Sequence, residues 1–126
     1  MRKEVQVLER LARLAEIRSD AELTRFSAFR QHVEVLNSQQ VEHRGRLADL
    51  FAQSEPFSVE GARIDSQDAG RIAREISRLE AEMERIRPGF EAARSRAVRE
   101  FGRVRALEQM TDRLRQAANK AARGRE

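Results

Sequence analysis

Few residues of this chain are of types that do chemistry, and none stands at a spacing that would let them act together. The two histidines, His32 and His43, are far apart, with no cysteine or suitably spaced glutamate to complete a metal-ligand set. Zero cysteine removes thiol nucleophiles, disulfides and cysteine-held zinc or iron–sulfur sites. Glu80, Glu82 and Glu84 alternate around a helix and are more simply solvent-facing than a paired acid and base. Gly61, Gly70, Gly89 and Gly102 are scattered, so there is no glycine-rich loop to cradle a phosphate. No catalytic residue, cofactor or metal ligand is expected, and the chain reads as a non-enzyme.

Arginine supplies almost all of the positive charge, with Lys3 and Lys120 the only lysines. From Arg94 onward the chain carries 10 basic and 4 acidic residues (net +6), against 15 basic and 17 acidic (net −2) in residues 1–93. The C-terminal third could meet an acidic surface or phosphates, or could be the solvated exterior of a charged helix. Only Phe101 lies among those arginines, which gives base stacking little to work with, and no zinc-finger, helix-turn-helix or basic-zipper pattern is present. A basic coiled-coil nucleic-acid-binding or scaffold protein is an alternative on charge alone.

The elements that carry these residues are legible from periodicity. Charged residues make up 37% of the chain and aromatics, all Phe, 5%, so elongated helices suit it better than a thick globular core. Steps of three and four from Ala69 give Ile72, Ile76, Leu79, Met83, Ile86, Phe90, Ala93, Ala97, Glu100, Val104, Leu107, Thr111, Leu114, Ala118 and Ala121. Only Glu100 and Thr111 interrupt the apolar stripe. A 3.5-residue repeat of this length is a coiled-coil signal. A second stripe runs Val5, Leu8, Ala12, Ala15, Ser19, Glu22, Phe26, Phe29, Val33, Leu36, Gln40, His43, Leu47, Leu50, with His43 expected to mark a polar layer that fixes register. No apolar run is long enough to span a membrane, and charges inside MRKEVQVLERLARLAEI argue against a secretory leader.

The predicted fold is all-α: one long two-helix antiparallel coiled-coil hairpin. Its first helix covers about residues 3–52, the loop 53–65 and the second helix 66–122, with the tail Arg123–Glu126 fraying. Pro56 and Gly61 mark the connection, and Asp65 or Ser66 is the expected cap of the second helix, with Asp68 near its positive end. Pro88 lies inside that second helix; the unbroken heptad phase predicts a kinked but continuous helix. Folding about residue 58 sets Leu36 near Leu79 and Leu8 near Leu107. It leaves a thin zone where Ala12–Glu22 meets Ala93–Glu100. Whether the native unit is one hairpin or a pair of hairpins stays open at this level. Off the seam, Val7, Leu14, Ala21, Ala28 and Val35, with Leu11 and Ile17 beside them, form a second apolar line. It reads either as a contact surface or as the bare use of alanine as a helix former. In the connection, Phe57, Val59 and Ile64 either fold back on the hairpin or offer a small docking patch.

The opening LERLARLAEIRSDAELTRFSAF and the closing VRALEQMTDRLRQAANKAA, in a cysteine-free hairpin of this length, resemble flagellar export proteins of the FliJ type and the related central-stalk proteins of virulence type III secretion. The resemblance implies a non-catalytic cytoplasmic component, peripheral at the inner face of the cell membrane. Its hairpin would bind the hexameric export ATPase, promote its assembly, or couple it to the export gate. By this resemblance Arg94, Arg96, Arg99, Arg103, Arg105, Arg113 and Arg115, with Val7, Leu11, Leu14 and Ile17, would meet the ATPase. Phe51, Phe57 and Val59 would meet the cytoplasmic domain of the gate membrane protein. A related reading is an export chaperone whose Val7–Val35 line holds unfolded flagellar substrates; other export chaperones are further candidate partners.

Overall fold

The computed structural model describes residues 2–52 and 56–125. The chain is an all-α helical hairpin of two helices, α1 (Arg2–Ala52) and α2 (Val59–Gly124). Each stretch of α1 packs antiparallel on a stretch of α2, and the contacts fall into two compact units. One joins residues 1–28 to 91–126; the other is Phe29–Phe90.

The heptad stripe is the seam. Every stripe position of α1 from Val5 to Leu50 is buried or half-buried, as is every stripe position of α2 from Ala69 to Ala118. Ala121 is exposed, because α2 is the longer helix, at 66 residues against 51. We label the seam positions a and d, starting with a at Val5 and at Ala69. One flank of each helix then carries positions g and c, and the other carries e and b.

In the unit Phe29–Phe90 the core is bulky. Leu36, Leu79 and Ile86 form a buried cluster with Val33 and Met83 packed against it, and Leu79 is wholly inaccessible. Leu36 meets Leu79 as the fold about residue 58 predicts. Arg44 and Glu80 join the two helices across the solvent edge at 2.9 Å. α2 passes through Pro88 without interruption. Pro88 itself is exposed, and the next residue, Gly89, lies under the Phe29 ring. A Cβ there would sit 2.9 Å from Phe29 Cε1. The absence of that methyl group is what lets the ring close on the helix backbone.

In the unit of residues 1–28 and 91–126 the core is small. Its buried residues are Ala15, Ala93, Ala97 and Val104, with Ser19 and Thr111 among them. The zone that looks thin in sequence is thus among the best buried, since small side chains let helix backbones approach closely. Thr111 meets the desolvation cost of its place by donating its hydroxyl to the Leu107 carbonyl at 2.8 Å.

The start of α2 differs from the sequence expectation. It begins at Val59, not near residue 66, so much of the expected loop 53–65 is helix. The cap is Ser58, not Asp65 or Ser66. Gly61 N–H donates to Ser58 Oγ at 3.0 Å, and Ala62 N–H reaches the Ser58 carbonyl at 2.9 Å. A Cβ at Gly61 would stand 2.7 Å from Ser58 Oγ, so the glycine makes room for the cap. Asp68 is interior to α2, where it accepts from Arg71 at 2.7 Å. The first loop positions, 53–55, and Glu126 lie outside the described residues.

Candidate functional site

Many large apolar side chains of the unit formed by residues 1–28 and 91–126 lie outside its seam. Val7, Leu11, Leu14, Ile17, Val98, Phe101 and Met110 are all exposed, Leu14 by 59%, while alanines fill the interior. Bulky residues usually bury most apolar area, and here a large share of them stays outside while small side chains take the best-buried positions. The second apolar line of α1 is therefore a solvent-facing surface in this chain.

The two flanks of this unit differ in chemistry. On the g/c flank, Leu11, Leu14, Ala106 and Leu107 floor an apolar groove of about 450 Å³ whose rim carries Arg18, Arg103 and Glu100. On the e/b flank, Glu9, Arg13, Glu16, Glu108, Asp112 and Arg115 line a charged one, and Arg115 donates to Glu9 across the helices. The ion pair holds the Arg115 guanidinium proton more firmly than usual, chiefly through that hydrogen bond. Helical phase makes the separation. Positions c and g neighbour d on one side of a helix, whereas e and b neighbour a on the other.

The expected arginine set is accordingly divided. Arg96, Arg99, Arg103 and Arg113 hold g or c positions, beside Val7, Leu11 and Leu14. Arg94, Arg105 and Arg115 hold e or b positions on the opposite flank, and Ile17 lies at f, between the flanks. Arg103 pairs with Glu100 at 3.0 Å, and Arg105 stands 6.0 Å from the centre of the Phe101 ring. Among the described residues Arg96, Arg99 and Arg113 form no ion pair. Arg18 and Met110 belong to the same face and escape a search for charge runs, but their heptad letters would have found them.

No family model, curated protein or solved structure matches this chain.

The other unit carries the remaining expected contacts. Phe51, Phe57 and Val59 are strongly exposed, Phe57 by 86%, so the connection does not fold back over its own apolar residues. Its g/c flank is a ladder of ion pairs one heptad apart: Asp68–Arg71, Glu75–Arg78 and Glu82–Arg85. The arginine hydrogen bonds hold the Glu75 and Glu82 carboxyls below their ordinary range. On the seam, His43 is half-buried, with Nδ1 lacking a hydrogen-bond partner among the described residues. Among those residues no cluster of His, Asp or Glu is placed to hold a metal ion, and no helix is long and apolar enough to cross a membrane.

Proposed function

We propose that this protein is a non-catalytic coiled-coil adaptor of a flagellar or related type III export apparatus, a stalk-like hairpin that binds the hexameric export ATPase. The observation that carries a binding role is the surface of the unit of residues 1–28 and 91–126, where Val7, Leu11 and Leu14 stand exposed beside Arg96, Arg99 and Arg113 while alanines take much of the buried interior. Exposed apolar area of that kind raises the free energy of the isolated chain in water, and a partner that covers it recovers the difference. The export ATPase as that partner follows from the resemblance of the opening and closing segments. Phe51, Phe57 and Val59 form a second contact, toward the cytoplasmic domain of the export gate. The protein then works in the cytoplasm at the inner face of the membrane.

The test is titration of the full chain into the export ATPase of the same organism, following ATP hydrolysis and ring size. Hexamer formation with stimulated hydrolysis is expected. It should be lost when Arg96, Arg99, Arg103 and Arg113 are all replaced by Glu, and kept when Arg94 and Arg105 are. No change in rate or assembly with the native chain refutes the assignment to that ATPase.

A further inference from the structure

We infer that the g/c groove on residues 1–28 and 91–126 takes an acidic amphipathic helix from a partner, as a third helix laid along the hairpin. The argument rests on one flank of α2 read along its length. Over residues 68–85 that flank repeats an acid at g and an arginine at c, each pair closed within the chain. α1 also closes a pair on its own g/c flank, with the letters exchanged: Glu42 at c and Arg46 at g, 3.1 Å apart. Over residues 96–113 the arginines continue but the g-position acids do not: Arg103 closes on the seam residue Glu100 at 3.0 Å, while Arg96, Arg99 and Arg113 share the flank with Ala106 and Met110. The chain supplies one half of a pattern that it elsewhere completes by itself.

The groove floor narrows the class of occupant. Leu11, Leu14, Ala106 and Leu107 offer a helix-sized apolar strip; at its edge stand Arg18 and the Arg103–Glu100 pair, which leave the rim net positive. A phosphate or small polar ligand would leave the leucines uncovered. A second copy of this chain on the same face would set arginines against arginines, and like charges juxtaposed across an interface cost several kcal/mol. An amphipathic helix with apolar residues at i, i+3, i+4 and i+7, flanked by Glu or Asp, satisfies both floor and rim. The inference shares its face with the proposed ATPase contact and rests on that reading only for the partner's identity.

The probe is a fluorescent three-heptad peptide with leucine at a and d and glutamate on both flanks, compared with a twin in which lysine replaces glutamate. Anisotropy with the full chain should show the glutamate peptide binding about tenfold or more tighter, with affinity falling as salt rises. Arg18→Glu with Arg103→Glu should reverse the preference. Leu14→Ser, at an exposed position, should keep full helicity and weaken the glutamate peptide about tenfold. Equal affinity for the two peptides, or a preference that survives the double reversal, overturns the inference. So does a dimer in sedimentation that Leu14→Ser dissociates, which would give the face to a second copy. Repeating the ATPase titration alongside separates the two readings. Peptide binding without ATPase stimulation removes the export assignment and leaves the groove; stimulation without peptide binding does the reverse.

Discussion

Gly89→Ala should destabilise this protein although alanine is the better helix former. In an open helix interior the exchange stabilises by about 0.8–1 kcal/mol. At Gly89 the new methyl would lie 2.9 Å from Phe29 Cε1 and 3.0 Å from Cζ, well inside van der Waals contact. Phe29 is half-buried on the seam, so its ring must leave its place or α2 must shift. Overpacking of this kind costs about 1–3 kcal/mol. The clash outweighs the propensity gain by about 1 kcal/mol. Gly45 and Gly102 are the controls, since a Cβ at either meets nothing within 4 Å. Alanine there should stabilise by about 0.5–1 kcal/mol, leaving a gap of about 2 kcal/mol between Gly89→Ala and Gly45→Ala. Urea and thermal unfolding followed by far-ultraviolet circular dichroism would resolve this. In a Phe29→Leu background the sign at Gly89 should turn positive, which isolates the ring as the cause. If Gly89→Ala stabilises the native chain as Gly45→Ala does, the packing account of Phe29 on α2 is wrong.

Three other outcomes are expected. Leu79→Ala should cost about 3 kcal/mol by leaving a cavity in the Leu36–Ile86 cluster, and Leu14→Ala less than about 0.5 kcal/mol, both read from urea midpoints. Ser58→Ala should cost about 1 kcal/mol and raise amide exchange at Gly61 first, because it removes the cap of α2. Carboxyl titrations by NMR should place Glu75 and Glu82 below the ordinary value of 4.5, and Arg78→Gln and Arg85→Gln should each return their own partner to it. A carboxyl whose folded pKa is depressed stabilises above its unfolded value, so these pairs contribute fully above about pH 4.5 and fade as the pH falls through the lowered values.

The seam was legible because a 3.5-residue repeat depends only on residue type and spacing. Leu36 beside Leu79 followed from that repeat and a fold point. The beginning of α2 was not legible in the same way. Pro56 and Gly61 look like one long interruption, yet Gly61 is in the first turn, where a missing side chain serves the Ser58 cap rather than breaking the helix. The candidate site was half legible. Val7, Leu11 and Leu14 stood out as an apolar line on one helix. Their company, Arg18, Arg103 and Ala106, is fixed only once the phases of two antiparallel helices are combined. The resemblance groups Arg105 and Arg115 with Arg103, and only the helical phase shows that they stand on opposite flanks.

The distribution of bulk along the seam also sets the order in which the hairpin closes. The Arg44–Glu80 pair joins residues 36 apart in the chain, and the Arg115–Glu9 pair joins residues 106 apart. Loop-closure entropy alone makes the second contact about 1 kcal/mol harder to form first. The leucine-rich cluster is therefore the natural nucleus, and zippering runs from the turn toward the chain ends. Opening runs the same path backwards, beginning at the chain ends, where the seam residues Val5, Leu8 and Leu114 are only half-buried. The stretch that carries the groove can thus separate while the Leu79 cluster stays closed, and a partner arriving there meets the segment that yields first.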